Sequence, residues 1–535
     1  MTLKMQTSEI ILNLKKLNYK DLIIFLIPFT IFLFYLHIYN PGILTVDSFA
    51  QLHQIATGEF GNWHPFFHTF IEMICIAIYP SPSSVGFLQI TTFSVIWMII
   101  CKYFRSDDDE GLKNKTFILQ FIVTLIISVI PINAIYSITL WKDILFSYFI
   151  LFLSFLVKVL LDKNGDVGFG FIVLMSILMA FISQIRPNGI YIVLILLIVF
   201  ALYLFKKNEN KKISISLPAL TIIFILLIAS LNVAYDVQDD QKDAVFAKVA
   251  HMLSDYDMNL DLKNEDSAKI HEMINETAIK QYYKPTYSDD IWVHSNEQVY
   301  NNGKSTYIGM AVSYSIQNPI YFLEYMFKSS PMVWDLTRDN DWAGNVYKTD
   351  INNANRFFYA SQKDTPAAGY DGVMAANSKT NEYLQLNGLV YQVKDNIITD
   401  TLFESPALYM YLAIILMIGI HFITKSKDIY LVYLPNLLNI IIVFVSTPIQ
   451  DTRYLYPNIL LVYLLIIILI GVYLNKNPKS TEPISNKNHD TKLNSKSKNN
   501  NKTFQDSKIQ NKETPEEMEA RIRAKILKEL EESKK

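Results

Sequence analysis

The sequence predicts an all-α polytopic membrane protein: about ten transmembrane helices, interfacial helices on the outer face and a mixed extracytoplasmic domain. Three observations predict it. Of 535 residues, 51% are hydrophobic and 13% aromatic. The apolar residues gather in uninterrupted runs, many close to the roughly 20 residues that a helix needs to cross a bilayer. The Lys and Arg residues between the runs alternate between dense and sparse, as they do when loops face opposite sides of a membrane.

The runs lie at 21–38, 86–104, 117–132, 143–161, 168–185, 188–205, 213–234, 406–424, 428–447 and 456–474. With residues 1–20 inside, the inner loops at 1–20, 102–116, 158–167, 206–213 and 425–428 carry 4, 4, 2, 4 and 2 Lys or Arg. The short outer loops carry only Lys142, Arg186 and Arg453. The tail from Asn475 adds 15 basic residues and falls inside, so both termini are expected in the cytoplasm of a cell-membrane protein. The first run is too long for a signal peptide and lacks a small-residue cleavage site, so it reads as an uncleaved helix.

The first outer loop spans 39–85. Within it, 65–80 is apolar but short for a crossing, and a crossing there would invert every later loop. It is expected to lie in the outer interface, with Pro65 at its start, where a missing N–H costs nothing. Residues 47–57 predict a second short helix. Residues 235–405 form the extracytoplasmic domain, with helix expected over 243–280 and 310–329. Its aromatic residues, among them Trp334, Trp342, Tyr347, Phe357, Phe358 and Tyr359, either stack on sugars or pack a small core. In the tail 475–535, residues 475–513 have the composition of disorder. Thr514, Pro515 and Glu517 then open a helix over 514–534. Cys75 and Cys101 sit in apolar segments and read as small core residues rather than metal ligands or a disulfide.

No Asp, Glu, Lys or Arg falls at the middle of any predicted span, which argues against an ion-coupled transporter. The polar residues gather instead at the outer ends. They are Asp47; Trp63, His64, Pro65 and His68; Trp141, Lys142 and Asp143; Arg186, Pro187 and Asn188; and Asp451 with Arg453. Separately, each reads as an interfacial anchor. Together, three cations at headgroup depth suit a phosphate, which Arg grips with its fork and Lys with a point charge. Asp47 is the candidate general base. Val46, Phe49 and Leu52 around it predict partial burial, which would raise its pKa and strengthen it as a base.

This order of features resembles the GT-C superfamily of polytopic glycosyltransferases, which includes protein O-mannosyltransferases and lipid A aminoarabinose transferases. Asp47 matches the acidic residue of their first outer loop, and His64-Pro65 the start of their His-Pro-Pro motif. Phe66 replaces the second Pro, and Ser48 stands where the mannosyltransferases carry a second acid. The Trp-His-Pro loop, the Lys142-Asp143 pair and the large outer domain look closer to a bacterial branch. The resemblance covers 20–235 well and 406–474 loosely. It implies a polyprenyl-phosphate-linked sugar as donor, an extracytoplasmic glycan, lipid or protein as acceptor, and inverting transfer. Lys142, Arg186 and Arg453 would hold the donor phosphate, while Asp47 activates the acceptor hydroxyl. His64 would position donor or acceptor, and Asp143 would orient Lys142 or assist as a second acid. A phosphate leaving group makes a metal unnecessary, so no cofactor is expected, and no nucleic-acid partner either. The competing classes are a lipid or polysaccharide transporter, for which no inner cluster mirrors the outer one, and a non-catalytic scaffold for envelope assembly.

Overall fold

The computed structural model describes residues 17–105, 110–207, 211–239, 244–336, 380–446 and 451–476. The expected tail helix at 514–534, and Trp342, Tyr347, Phe357, Phe358 and Tyr359, lie outside the described residues.

The chain is a multi-pass membrane protein built from helices. Nine described helices are long and apolar enough to cross a membrane. They are α1 (Tyr19–Ile38), α4 (Ser83–Tyr103), α5 (Glu110–Val129), α7 (Lys142–Asp162), α9 (Gly189–Lys207), α10 (Lys211–Ala234), α21 (Pro406–Thr424), α22 (Asp428–Ser446) and α23 (Tyr456–Lys476), the last preceded by a 3-10 turn, Thr452–Leu455. The tenth predicted span is α8 (Phe169–Ile185), which has 17 residues. At about 1.5 Å per residue it is near the lower limit for a crossing. It packs on α7, α9 and α10. Contacts between helix ends, Asp21 with Arg105 and Asp143 with Arg186, show α4 antiparallel to α1 and α8 antiparallel to α7.

Burial separates bundle centre from periphery. Along α7 nearly every side chain is buried, whereas α10 leaves Ile215, Ile222, Ile223, Leu226, Leu227 and Val233 exposed. Water would penalise that stripe, and hydrocarbon does not.

The loop between α1 and α4 folds as two short helices, α2 (Val46–Thr57) and α3 (Phe66–Ile78). The 13 residues of α3 reach only about 20 Å, too short to span. A further short helix, α6 (Pro131–Ile138), follows α5.

After α10 come α11 (Ala244–Asn259), α12 (Asn264–Met273), α13 (Glu276–Tyr282), α14 (Asp289–Val293), α15 (Glu297–Asn302), α16 (Lys304–Gln317), α17 (Pro319–Lys328) and α18 (Pro331–Trp334), then α19 (Asn381–Asp395) and α20 (Ile397–Glu404). The expected mixed domain is not what these residues form. Among the described residues of 235–405 there are helices and two isolated bridge pairings, Gln238 with Gly61 and Lys284 with Tyr287, but no strand. The helix expected over 310–329 breaks between Gln317 and Pro319, because Pro supplies no N–H and favours a first helical position. Tyr256, Tyr300, Tyr307 and Tyr314 pack a core with Phe246, Leu253 and Ile270. For these tyrosines, packing prevails over sugar stacking.

At the end of the bundle where α1 begins, a buried ionic cluster ties the first three long helices together. Arg105 donates from Nη1 to Asp21 (2.8 Å), and from Nε and Nη2 to Gln120 Oε1 (3.1 and 3.0 Å). Gln120 donates onward to the Cys101 carbonyl at 2.7 Å, and Lys102 lies 3.4 Å from Asp21. The expectation that no cluster would stand opposite the polar site is therefore corrected. Asp21 and Arg105 are 84 residues apart, and only the fold makes them neighbours.

Candidate anion-binding site at one end of the bundle

Five dispersed segments meet at the other end. The first seam is backbone. Ile43 N donates to the Ile138 carbonyl (2.9 Å), and Leu140 N donates to the Ile43 carbonyl (3.1 Å). Gly42, at φ +116°, makes this approach possible, since a Cβ there would sit 2.9 Å from the Ile138 carbonyl oxygen. Side chains then lock the seam. Ser48 Oγ donates to the Leu140 carbonyl (2.8 Å), and Trp141 Nε1 donates to Thr45 Oγ1 (2.7 Å). The start of α2, which carries Asp47, is thus fixed beside the start of α7, which carries Lys142 and Asp143.

Arg186 reaches the same place from the turn between α8 and α9. Gly189 is required there: a Cβ would lie 1.9 Å from the Ile182 carbonyl oxygen. Arg453 arrives on the 3-10 turn before α23, whose N-cap Asp451 accepts from the Arg453 backbone N–H at 3.1 Å.

The charges interlock. Arg453 Nη1 donates to Asp47 at 2.8 Å, its Nε lies 2.9 Å from Asp451, and the same Nε is 3.9 Å from Asp143. Arg186 Nε lies 3.2 Å from the other Asp143 oxygen. The Arg453 guanidinium lies 4.6 Å from the Trp141 ring centroid and 5.1 Å from that of Tyr454, and Arg186 lies 4.6 Å from the Tyr454 centroid. Lys142 Nζ is 3.3 Å from His64 Nδ1.

Asp47, His64, Lys142, Asp143, Arg186, Asp451 and Arg453 therefore form one cluster, and Trp141 flanks it. Trp63 does not join the cations; it stacks on Trp292 of α14 at 5.4 Å and thereby ties the first loop to the helical insert. Asn188 is half-buried in its turn and makes no hydrogen bond to the cluster among the described residues. Asp143 faces Arg186 and Arg453. One expectation needs correction. Asp47, although burial pushes its pKa up, is held well below the usual carboxylate range by the charges of Arg453, Lys142 and His64. Partial burial was foreseeable from Phe49 and Leu52, but a cation 406 residues away was not. Asp451 behaves oppositely: burial, with Asp143 and Asp47 nearby, pushes it up to about 6 against the pull of Arg453.

The cluster also has open valences. Arg186 is 5% exposed, and its Nη1 is buried without a hydrogen-bond partner. Neither Asp143 oxygen accepts a well-formed hydrogen bond, although both face guanidinium groups. Among the described residues, no three His, Cys, Asp or Glu side chains converge as metal ligands. The three aspartates instead surround Arg453.

Behind this cluster lies a group that the sequence reading missed. Glu72, on α3, is fully buried, and neither of its oxygens has a hydrogen-bond partner. His68 Nδ1, one turn away, is 3.6 Å distant and 3.0 Å from Gln51 of α2. Burial raises Glu72 well above the carboxylate range, with Lys142 opposing, and pushes His68 down to about 3, with Lys142 assisting. Burial therefore favours the neutral carboxylic acid form of Glu72. The available signal was one acid among the apolar residues of Phe66–Ile78, four positions after a His.

A lateral groove of about 1000 Å³ runs between α1, the end of α3 and the start of α4. Leu33, Phe34, Cys75, Ile78, Phe87 and Leu88 are among the apolar residues that line it. Cys75 lies on the same buried face of α3 as His68 and Glu72.

Comparison of the chain with models of known families, with curated proteins and with solved structures finds no match.

Proposed function

We propose that this chain is a membrane glycosyltransferase of the GT-C kind, moving a sugar from a polyprenyl-phosphate donor to an acceptor outside the cell membrane. The observation that carries the reading is the convergence of Asp47, Lys142, Arg186 and Arg453 on one cluster at one end of an apolar bundle. The donor's prenyl chain would lie along the lateral groove, which opens sideways where lipid would be. Lys142, Arg186 and Arg453 would hold the phosphate and stabilise the charge that grows on it as the sugar leaves. Asp47 would accept the proton of the acceptor hydroxyl as the new glycosidic bond forms. In this reading the site end faces outward, and both termini lie in the cytoplasm. His64 keeps Lys142 in place, and the helical insert, joined through the Trp63–Trp292 stack, borders the acceptor side.

The test is transfer by the purified protein in liposomes from a panel of polyprenyl-phosphate sugars, read by mass spectrometry of the product. The wild type is expected to transfer at least one sugar. Asp47→Asn should lose about 10²–10⁴-fold, the usual worth of a general base. A wild type inert across the panel, or an Asp47→Asn variant with full activity, overturns the reading.

A further inference from the structure

The positions of the cluster's carboxylates carry an inference about how the site is kept shut. Arg453 faces three of them, and they are not equally held. Asp451 accepts from the Arg453 backbone N–H at 3.1 Å, and its other oxygen lies 2.9 Å from Arg453 Nε as an ion pair without hydrogen-bond geometry. Asp143 is 1% exposed and is shared with Arg186. Asp47 is the most exposed of the three, at 28%, and among the described residues its hydrogen bond runs to Arg453 alone. Arg453 itself is stacked on Trp141, and Trp141 is pinned by Thr45. A guanidinium so clamped stays in place when a partner leaves, and Asp47 is the partner free to leave.

We propose that the Asp47–Arg453 ion pair is a latch: Asp47 occupies the seat of a phosphate on Arg453, and an arriving lipid phosphate displaces it. The proposal rests on the reading of the cluster as a lipid-phosphate site. Displacement exchanges one anion for another at Arg453, with Lys142 and the unpartnered Arg186 Nη1 as further donors, and breaks no covalent bond. Its consequence is chemical. While latched, Asp47 is a poor base, because Arg453 stabilises the carboxylate form. Once freed, it returns toward ordinary carboxylate basicity next to the acceptor. The base is then active only when donor is bound, which protects the site from idle proton transfer.

The latch makes binding and transfer respond in opposite directions. Binding of farnesyl phosphate, and separately of inorganic phosphate, is to be measured on the purified full-length chain in detergent. The forms compared are wild type, Asp47→Asn, Asp47→Ser and Asp451→Asn, with thermal melting recorded for each. Removing the Asp47 charge should tighten farnesyl phosphate binding by about tenfold, the scale of a close charge pair, while transfer is lost. Asp451→Asn should tighten it less. Equal tightening toward inorganic phosphate supports the latch and assigns the recognition to the phosphate alone. Folded Asp47 variants that bind no better than a binding-competent wild type overturn the latch but leave the site reading standing. A wild type that binds neither probe overturns both.

Discussion

The two ends of the bundle hold ionic clusters of similar make-up and different finish. At the α1 end, all three guanidinium nitrogens of Arg105 donate to Asp21 or Gln120, and Gln120 passes its own amide to a backbone carbonyl. At the site end, Arg186 keeps a buried nitrogen without a partner, Lys142 leans on a histidine ring nitrogen, and the Asp143 carboxylate faces two guanidinium groups without a well-formed hydrogen bond. Buried charge is tolerated when paired and hydrogen-bonded, and costs several kcal/mol when it is not. A saturated cluster is what a fastener needs, whereas one with spare valence keeps stability in reserve for a ligand. The comparison teaches that charge inside a membrane protein is informative less by its presence than by how completely it is satisfied.

The largest expected effect follows from making the same substitution at both ends. Asp21→Asn strips the charge that balances Arg105 and Lys102 in a fully buried place, and should cost about 3–5 kcal/mol of stability. Asp47→Asn, partly exposed and still able to accept from Arg453, should melt close to the wild type while losing transfer. Thermal melting of the two variants side by side checks this. Equal destabilisation would erase the distinction between fastener and site.

A smaller effect sharpens the geometry of the site. Arg186→Lys and Arg453→Lys keep the charge but lose the planar fork and the stacking on Tyr454 and Trp141. Each should weaken farnesyl phosphate binding on the order of tenfold, whereas Arg105→Lys should leave it untouched. Calorimetric titration reads all three. Full affinity in both site-end variants would reduce the cations to point charges.

How much of this was legible in the sequence follows from the range of the physics. Span positions were, because hydropathy is a local sum. Most of the residues that cluster at the other end were, because each stands at a span end, where a polar residue is conspicuous. Their pairings were not. Asp47 reads as lacking a local cation, and its partner lies near the far end of the chain. Asp21 and Arg105 looked like ordinary loop-end charges until α1 and α4 were packed together. Glu72 escaped because its helix was set aside once it was judged not to span. The helices of the insert's described residues were obscured by its many Asn and Asp residues, which signal turns equally well in any fold.

A pH-dependent effect concerns Glu72. Its folded pKa is raised, so above the unfolded value of about 4.3 the folded chain must take up a proton that the unfolded chain has released. Wild-type stability therefore falls as pH rises from there toward the raised folded pKa, by about 1.4 kcal/mol for each pH unit. Glu72→Gln is spared that loss, so its melting temperature should overtake that of the wild type as pH increases. Melting curves between pH 5 and pH 8, on the order of the range where most carboxylates are already ionised, would show it. Parallel curves would mean that Glu72 is ionised in the fold.

The central claim, that the site end binds a lipid phosphate, is tested most directly by one binding series. Farnesyl phosphate is titrated into the purified wild type, Arg186→Ala, Arg453→Ala and Lys207→Ala, the last removing a cation at the opposite end of α9. The account predicts saturable binding to the wild type and Lys207→Ala with the same affinity, and weakening by about tenfold or more in each site-end variant. Binding that survives both site-end changes, or that Lys207→Ala weakens equally, would contradict it.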